Sequence, residues 1–298
     1  MIRVGLVDFD TSHVVAFTQR WNHVDCGEEH WIEGVKVVAG CPGVSYLSPE
    51  RVPGFTEQLR GYGVEIVDRP EDLIDKIDAV CIESVDGSVH LERARPFLEA
   101  GVPMFVDKPF TCSLAHAKEI ASLAEKHNVP LFSSSSLRFG REIIALHADA
   151  EEYGAIIGAD AYSPASLHPR NPGLFHYGVH GVETLFAIMG QGCVAVSSAT
   201  TGDVDVVTGY WDGGRVGTVR GIRNGAAGYG FNAFCEKKVV QSTIDAGYIY
   251  SGLLGAITTM FETGEPPIDI RETLEITAFI EGALASVARD GAKVEIAV

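Results

Sequence analysis

The sequence lacks any hydrophobic run near the ~20 residues that a membrane-spanning helix needs, so no membrane partner is expected. It is also poor in positive charge. There are 23 Lys and Arg against 40 Asp and Glu, a formal net charge of −17. Such a field repels phosphate backbones, and no local cluster of Lys or Arg offsets it, which argues against a nucleic-acid partner. The six cysteines (Cys26, Cys41, Cys81, Cys112, Cys193 and Cys235) form no C-x-x-C pair and keep no regular spacing. That favours free, mostly buried thiols over a disulfide framework or a thiolate metal motif. Internal repeats are missing, and the one low-complexity tract, 133–136, is too short to serve as a linker. Met1 runs straight into the apolar stretch 2–7 with no small-residue cleavage site behind it, so a cytoplasmic protein is expected.

What the chain does have is length and apolar content. Its 298 residues, 46% hydrophobic and 21% charged, suffice for two globular domains, each with its own core. In the first half, apolar runs at 2–7, 35–39, 64–67, 79–82, 103–106 and 129–133 alternate with amphipathic segments. Strands this apolar are buried on both faces, so a doubly wound parallel sheet is expected over 1–133. The second half, 134–298, reads differently. Helical patterns at 141–150, 181–189 and 273–288 surround strand-like runs at 194–199, 204–210, 215–222, 230–235 and 238–245, joined by Gly, Asp and Asn turns. Consecutive strands without intervening helices predict an α+β domain with a mostly antiparallel sheet open on one face. An exposed sheet face invites association, so a homodimer or homotetramer built through it is expected.

The stretch DAVCIESVDGSVHLERARPFLEAGVPMFVDKPF, residues 78–110, resembles the second half of the Rossmann domain of Gfo/Idh/MocA oxidoreductases. Asp107-Lys108-Pro109 corresponds to that family's E-K-P. The segment HYGVHGVETLFAIMG, residues 176–190, is similar to its D-x-G-x-H-x-x-D helix, and Leu137-Arg138-Phe139 and GTVRG at 217–221 extend the likeness thinly over the whole chain. The resemblance implies an NAD- or NADP-dependent oxidoreductase acting on a secondary alcohol or carbonyl of a sugar, cyclitol or related polyol. Lys108 is then the catalytic lysine, hydrogen-bonding the substrate oxygen, and His180 its acid/base partner. The alternative for Lys108 is a surface lysine paired with a carboxylate.

Two departures from the family pattern open other readings. At the positions of the three fingerprint glycines stand Asp8, Asp10 and His13. A carboxylate ~4 Å from a phosphate would cost on the order of 4 kcal/mol at an effective dielectric near 20. Asp10 can instead cap the following helix. The dinucleotide-facing residues implied by resemblance are Asp8, Asp10, Thr11, Ser12, His13, Ser84, His90 and Asp107. At the acidic position before His180 stands His176. Spaced i, i+4, i+7, the residues His176, His180 and Glu183 are expected on one helical face. Two His and a carboxylate suit Zn²⁺, with Asp10 or His13 as a further ligand; otherwise they line a cleft, with Glu183 paired locally. The substrate candidates are Arg138, Tyr162, His168 and Glu183, with 161–175 read as a substrate loop or a plain connection. The competing function is a relative that has lost the dinucleotide and binds a small polar ligand, or uses a metal for lyase or hydrolase chemistry. The insertion at 22–34, with its Trp and His residues, has no role readable from sequence.

Overall fold

Strand β1 (Ile2–Val7) is buried along most of its length, and the strands beside it are as apolar, so the sheet they form must be flanked by helices. The fold is that of a computed structural model describing residues 1–298. After β1 come α1 (His13–Asn22), β2 (Val35–Cys41), α2 (Val52–Gly61), β3 (Glu65–Ile66), β4 (Ala79–Ile82), α3 (His90–Glu99), β5 (Met104–Val106), α4 (Leu114–His127) and β6 (Leu131–Ser133). The six strands are parallel, in the order β3-β2-β1-β4-β5-β6. This is the doubly wound order whose ligands lie at the carboxyl ends of the strands, near the reversal between β1 and β4.

The chain continues through α5 (Arg141–Ala148), α6 (Ala150–Tyr153), β7 (Ile156–Pro164), α7 (Val179–Met189), β8 (Cys193–Thr200), β9 (Val204–Trp211), β10 (Val216–Ile222), β11 (Gly230–Cys235) and β12 (Val239–Thr243). With the terminal β13 (Val294–Glu295) these make a seven-stranded sheet in the order β12-β11-β7-β10-β9-β8-β13. Its pairings are antiparallel except β7 with β10. The expectation of a mostly antiparallel second sheet therefore holds, with two strands added, β7 and β13. In β7, buried Ala159, Ala161 and Ser163 alternate with half-buried Asp160 and Tyr162. Small side chains carry a weak strand signal, which is why the pattern escaped the sequence reading.

Between β12 and α9 (Ile270–Val287) the chain forms α8 (Ile249–Thr263), also unanticipated. Two compact units result. One comprises Met1–Thr111, Ala115–Ser134 and Tyr250–Ile270; the other comprises Cys112–Leu114, Ser135–Ile249 and Arg271–Val298. The main division falls between Ser134 and Ser135, and 250–270 belongs to the first unit. The insertion at 22–34 meets this segment. His23 stacks on Trp31, His30 Nδ1 lies 3.3 Å from Ser251 Oγ, and the neighbouring Trp21 indole donates to Thr258 Oγ1 at 3.0 Å.

Candidate active site

The turn after β1 keeps the shape of a dinucleotide turn with different side chains. Asp8 stands where the first fingerprint glycine would, and its φ of 64° is the left-handed conformation that glycine favours there. Asp is among the few residues that tolerate it. Its buried carboxylate accepts from Ser84 Oγ and, at 2.9 Å, from Arg93 Nε of α3. It also packs on Gly43, at φ 63°, where a Cβ would come within 1.7 Å of Asp8 Oδ1. Burial pushes the Asp8 carboxyl up from its ordinary value against the pull of Arg93. Asp10 does not cap α1. Its carboxylate accepts from Ser45 Oγ at 2.6 Å and from the Val85 amide at 3.0 Å, tying β1 to the segments after β2 and β4. Ser12 is the N-cap of α1, without a side-chain capping bond, and Thr11 Oγ1 accepts from the His13 amide. The turn thus fits a dinucleotide in backbone shape. In charge it opposes pyrophosphate through Asp10, while Arg93 offsets Asp8.

His13, at the third glycine position, is buried with its ring stacked on Phe17 and edge-on to Tyr250. Its Nδ1 lies 2.7 Å from Asp107 Oδ2 and 3.9 Å from Glu83 Oε2. Asp107 ends β5, and its other oxygen accepts from the Lys108 amide at 2.7 Å. Glu83, just past β4, is wholly buried, and neither carboxylate oxygen has a hydrogen-bond partner. Of the two acids Asp107 holds the charge: burial would raise it, but His13 and Lys108 bring it down to about 2. Glu83 is pushed well above its ordinary value by burial and by Asp107. Glu83 was not among the residues singled out from sequence, because a glutamate after an apolar strand normally reads as the start of a solvated turn.

Lys108 sits at the carboxyl edge of the sheet, 8% exposed, flanked by these two acids. His90 was expected against the cofactor, but both its ring nitrogens face carbonyl oxygens. Nε2 is 2.8 Å from Ser84 O and Nδ1 is 3.0 Å from Phe110 O. Buried at the start of α3, it pins the end of β4 to the turn that carries Lys108.

In the second unit, α7 begins at Val179 with Gly178 as its N-cap, so His176 precedes the helix and the expected one-face array of His176, His180 and Glu183 does not form. His180 Nδ1 is 2.7 Å from Ser135 Oγ, and its ring lies edge-on to Tyr177 and Tyr229. His176 and His168 have their ring centres 5.4 Å apart. These five aromatic side chains and Ser135 gather in one place, which sequence reasoning found only through its histidines. Arg138 and Glu183, expected at the substrate, are paired with each other. Arg138 Nε donates to Glu183 at 3.1 Å and its guanidinium pairs with Glu272 at 2.7 Å. Burial alone would lower the Arg138 pKa, yet the two carboxylates hold it above its ordinary value. Tyr162 lies in the interior strand β7 rather than in a loop. The ligand atoms of His13, Glu83 and Asp107 converge closely enough for a metal, all within 4.8 Å of one another.

Residues 48–135 match the family model described as "Oxidoreductase family, NAD-binding Rossmann fold". The chain is 28% identical over 126 residues to "Uncharacterized oxidoreductase YhhX" of Escherichia coli, a match covering 39% of this chain and 36% of that protein. The stretch thus spans about a third of the relative's length. Among solved structures, myo-inositol 2-dehydrogenase from Lactobacillus plantarum superposes with a TM-score of 0.81 at 16% identity, covering 99% of each chain. Scyllo-inositol dehydrogenase from Lactobacillus casei, solved with NAD(H) and scyllo-inositol, gives 0.80 at 14% identity over 100% of each chain. At these identities the likeness establishes the fold.

Proposed function

We propose that the chain, whose residues 48–135 match the model of an NAD-binding oxidoreductase family, is an NAD-dependent oxidoreductase that interconverts a secondary alcohol and a carbonyl on a cyclitol or related polyol. The observation that carries this reading is Lys108. It stands directly behind Asp107 at the carboxyl end of β5, in a sheet of the order that binds dinucleotides at that edge. The inositol substrates named for the two structural neighbours supply the substrate class.

Bound NAD supplies the hydride acceptor. In the oxidative direction the Lys108 ammonium donates a hydrogen bond to the substrate oxygen as negative charge grows there, and His180 takes the hydroxyl proton. Ser135 holds the His180 ring through Nδ1. Asp107 keeps its charge beside Lys108, and His90 fixes the turn on which the lysine is mounted. Asp8, Asp10, Thr11 and Ser12 form the turn that meets the dinucleotide, and the neighbour solved with NAD(H) supports NAD as that dinucleotide.

The test is absorbance at 340 nm on mixing the protein with NAD⁺ and a panel of inositols and sugar alcohols. Turnover is expected with at least one, and Lys108→Ala is expected to lower it by about 10²-fold or more, as losing a general acid/base group does. A second reading rests on the carboxylates of Asp8 and Asp10: a relative without dinucleotide, binding a small polar ligand or using a metal. Absence of turnover with every nucleotide and polyol would favour it.

A further inference from the structure

We propose that His13, Glu83 and Asp107 form a divalent-cation site, suited first to Zn²⁺, between the start of α1 and the carboxyl ends of β4 and β5. One imidazole nitrogen and two carboxylates supply three ligand atoms within 4.8 Å of one another. A tetrahedral site with bonds of about 2.1 Å holds its ligands roughly 3.4 Å apart. The two separations from His13 Nδ1, 2.7 Å to Asp107 and 3.9 Å to Glu83, bracket that value.

Glu83 gives the cluster its meaning. Buried carboxylates are ordinarily hydrogen-bonded or paired, because leaving one without partners costs several kcal/mol. Glu83 is 0% exposed and both its oxygens lack hydrogen-bond partners, with His13 Nδ1 3.9 Å from Oε2. A cation seated among the three side chains satisfies it and balances the second acid. The His13 ring is held for this by Phe17 and Tyr250, which stack on it and meet it edge-on. Neutral imidazole with carboxylate ligands suits Zn²⁺, and Mn²⁺ less well. Three protein ligands leave one position for water or a substrate oxygen, the pattern of zinc sites that take part in chemistry. Lys108 follows the ligand Asp107 directly and, like His13, keeps some exposure, 8% and 6%. A cation here would therefore lie beside the lysine assigned to the substrate oxygen.

Protein made without a His tag is stripped with chelator and titrated with ZnCl₂ and MnCl₂ in the absence of nucleotide, so the outcome is independent of NAD binding. About one equivalent of zinc is expected to bind, raising the thermal transition, and Glu83→Gln is expected to weaken binding at least about 100-fold. Zinc-edge X-ray absorption on the wild-type protein is expected to show one imidazole with oxygen ligands and no sulfur, a readout that needs no variant to fold. Binding of less than about a tenth of an equivalent would overturn the proposal. So would unchanged affinity in folded Glu83→Gln, or a spectrum with two imidazoles or sulfur, which would send the ion to His176 and His180 or to a thiol.

Discussion

A carboxylate in the left-handed conformation at position 8 conserves the turn and changes its electrostatics. Asp8→Gly removes an L side chain from a conformation costing roughly 1 kcal/mol, and removes the charge that Arg93 now answers. Arg93 is then available to a pyrophosphate, so NADH affinity should rise about tenfold or more, equivalent to about 1.4 kcal/mol, as read by calorimetry. The sign of the pH effect follows from burial. Asp8 has a folded-state pKa above its ordinary value, so its contribution to stability is fully present below the usual carboxylate range and is lost as pH rises through the raised value. Denaturant unfolding of Asp8→Gly against wild type should therefore favour the variant increasingly as pH is raised through that window.

Among the elements, α7 depends most visibly on one small residue. Gly181 donates its amide to Ser163 Oγ, and a Cβ there would meet that oxygen at 2.9 Å and Val219 at 3.1 Å, both on the buried face of the second sheet. Gly181→Val should lift α7 and cost about 1–3 kcal/mol of stability by urea unfolding, as overpacking does. It should also disturb the adjacent His180 before it disturbs Lys108. How legible each element was depended on what its side chains signal. The strands of the first sheet were readable because both faces are apolar, and Lys108 because it stands between an acid and a proline at a strand end. β7 was hidden by its alanines and serine. The one-face array was extended too far because His176, His180 and Glu183 keep helical spacing across Gly178, the N-cap of α7, which leaves His176 outside the helix. Arg138 and Glu183 read as polar site residues, since sequence gives no hint that Glu272, over a hundred positions from Arg138, completes their ion cluster. Glu83 passed unnoticed for the same reason: its neighbours His13 and Asp107 come from the start of α1 and the end of β5.

For the whole molecule, the open face of the second sheet carries a row of exposed apolar side chains. Val239, Phe234 and Val216 lie across β12, β11 and β10 in register through Gly158 of β7, and are 60%, 36% and 43% exposed. Such a row supports a homodimer or homotetramer through this sheet, and light scattering at micromolar concentration should give at least twice the mass of one chain. Val216→Lys combined with Val239→Lys should shift it toward the monomer. No helix is long and apolar enough to cross a membrane. The cytoplasmic location and the assembly are proposals that accompany the oxidoreductase reading, which itself turns on whether a turn bearing Asp8 and Asp10 accepts pyrophosphate. Calorimetric titration of the folded protein with NAD⁺, NADH, NADP⁺ and NADPH decides this most directly. The account predicts saturable binding of about one NADH per chain, whereas no binding of any of the four up to about millimolar nucleotide, an affinity near −4 kcal/mol, would contradict it.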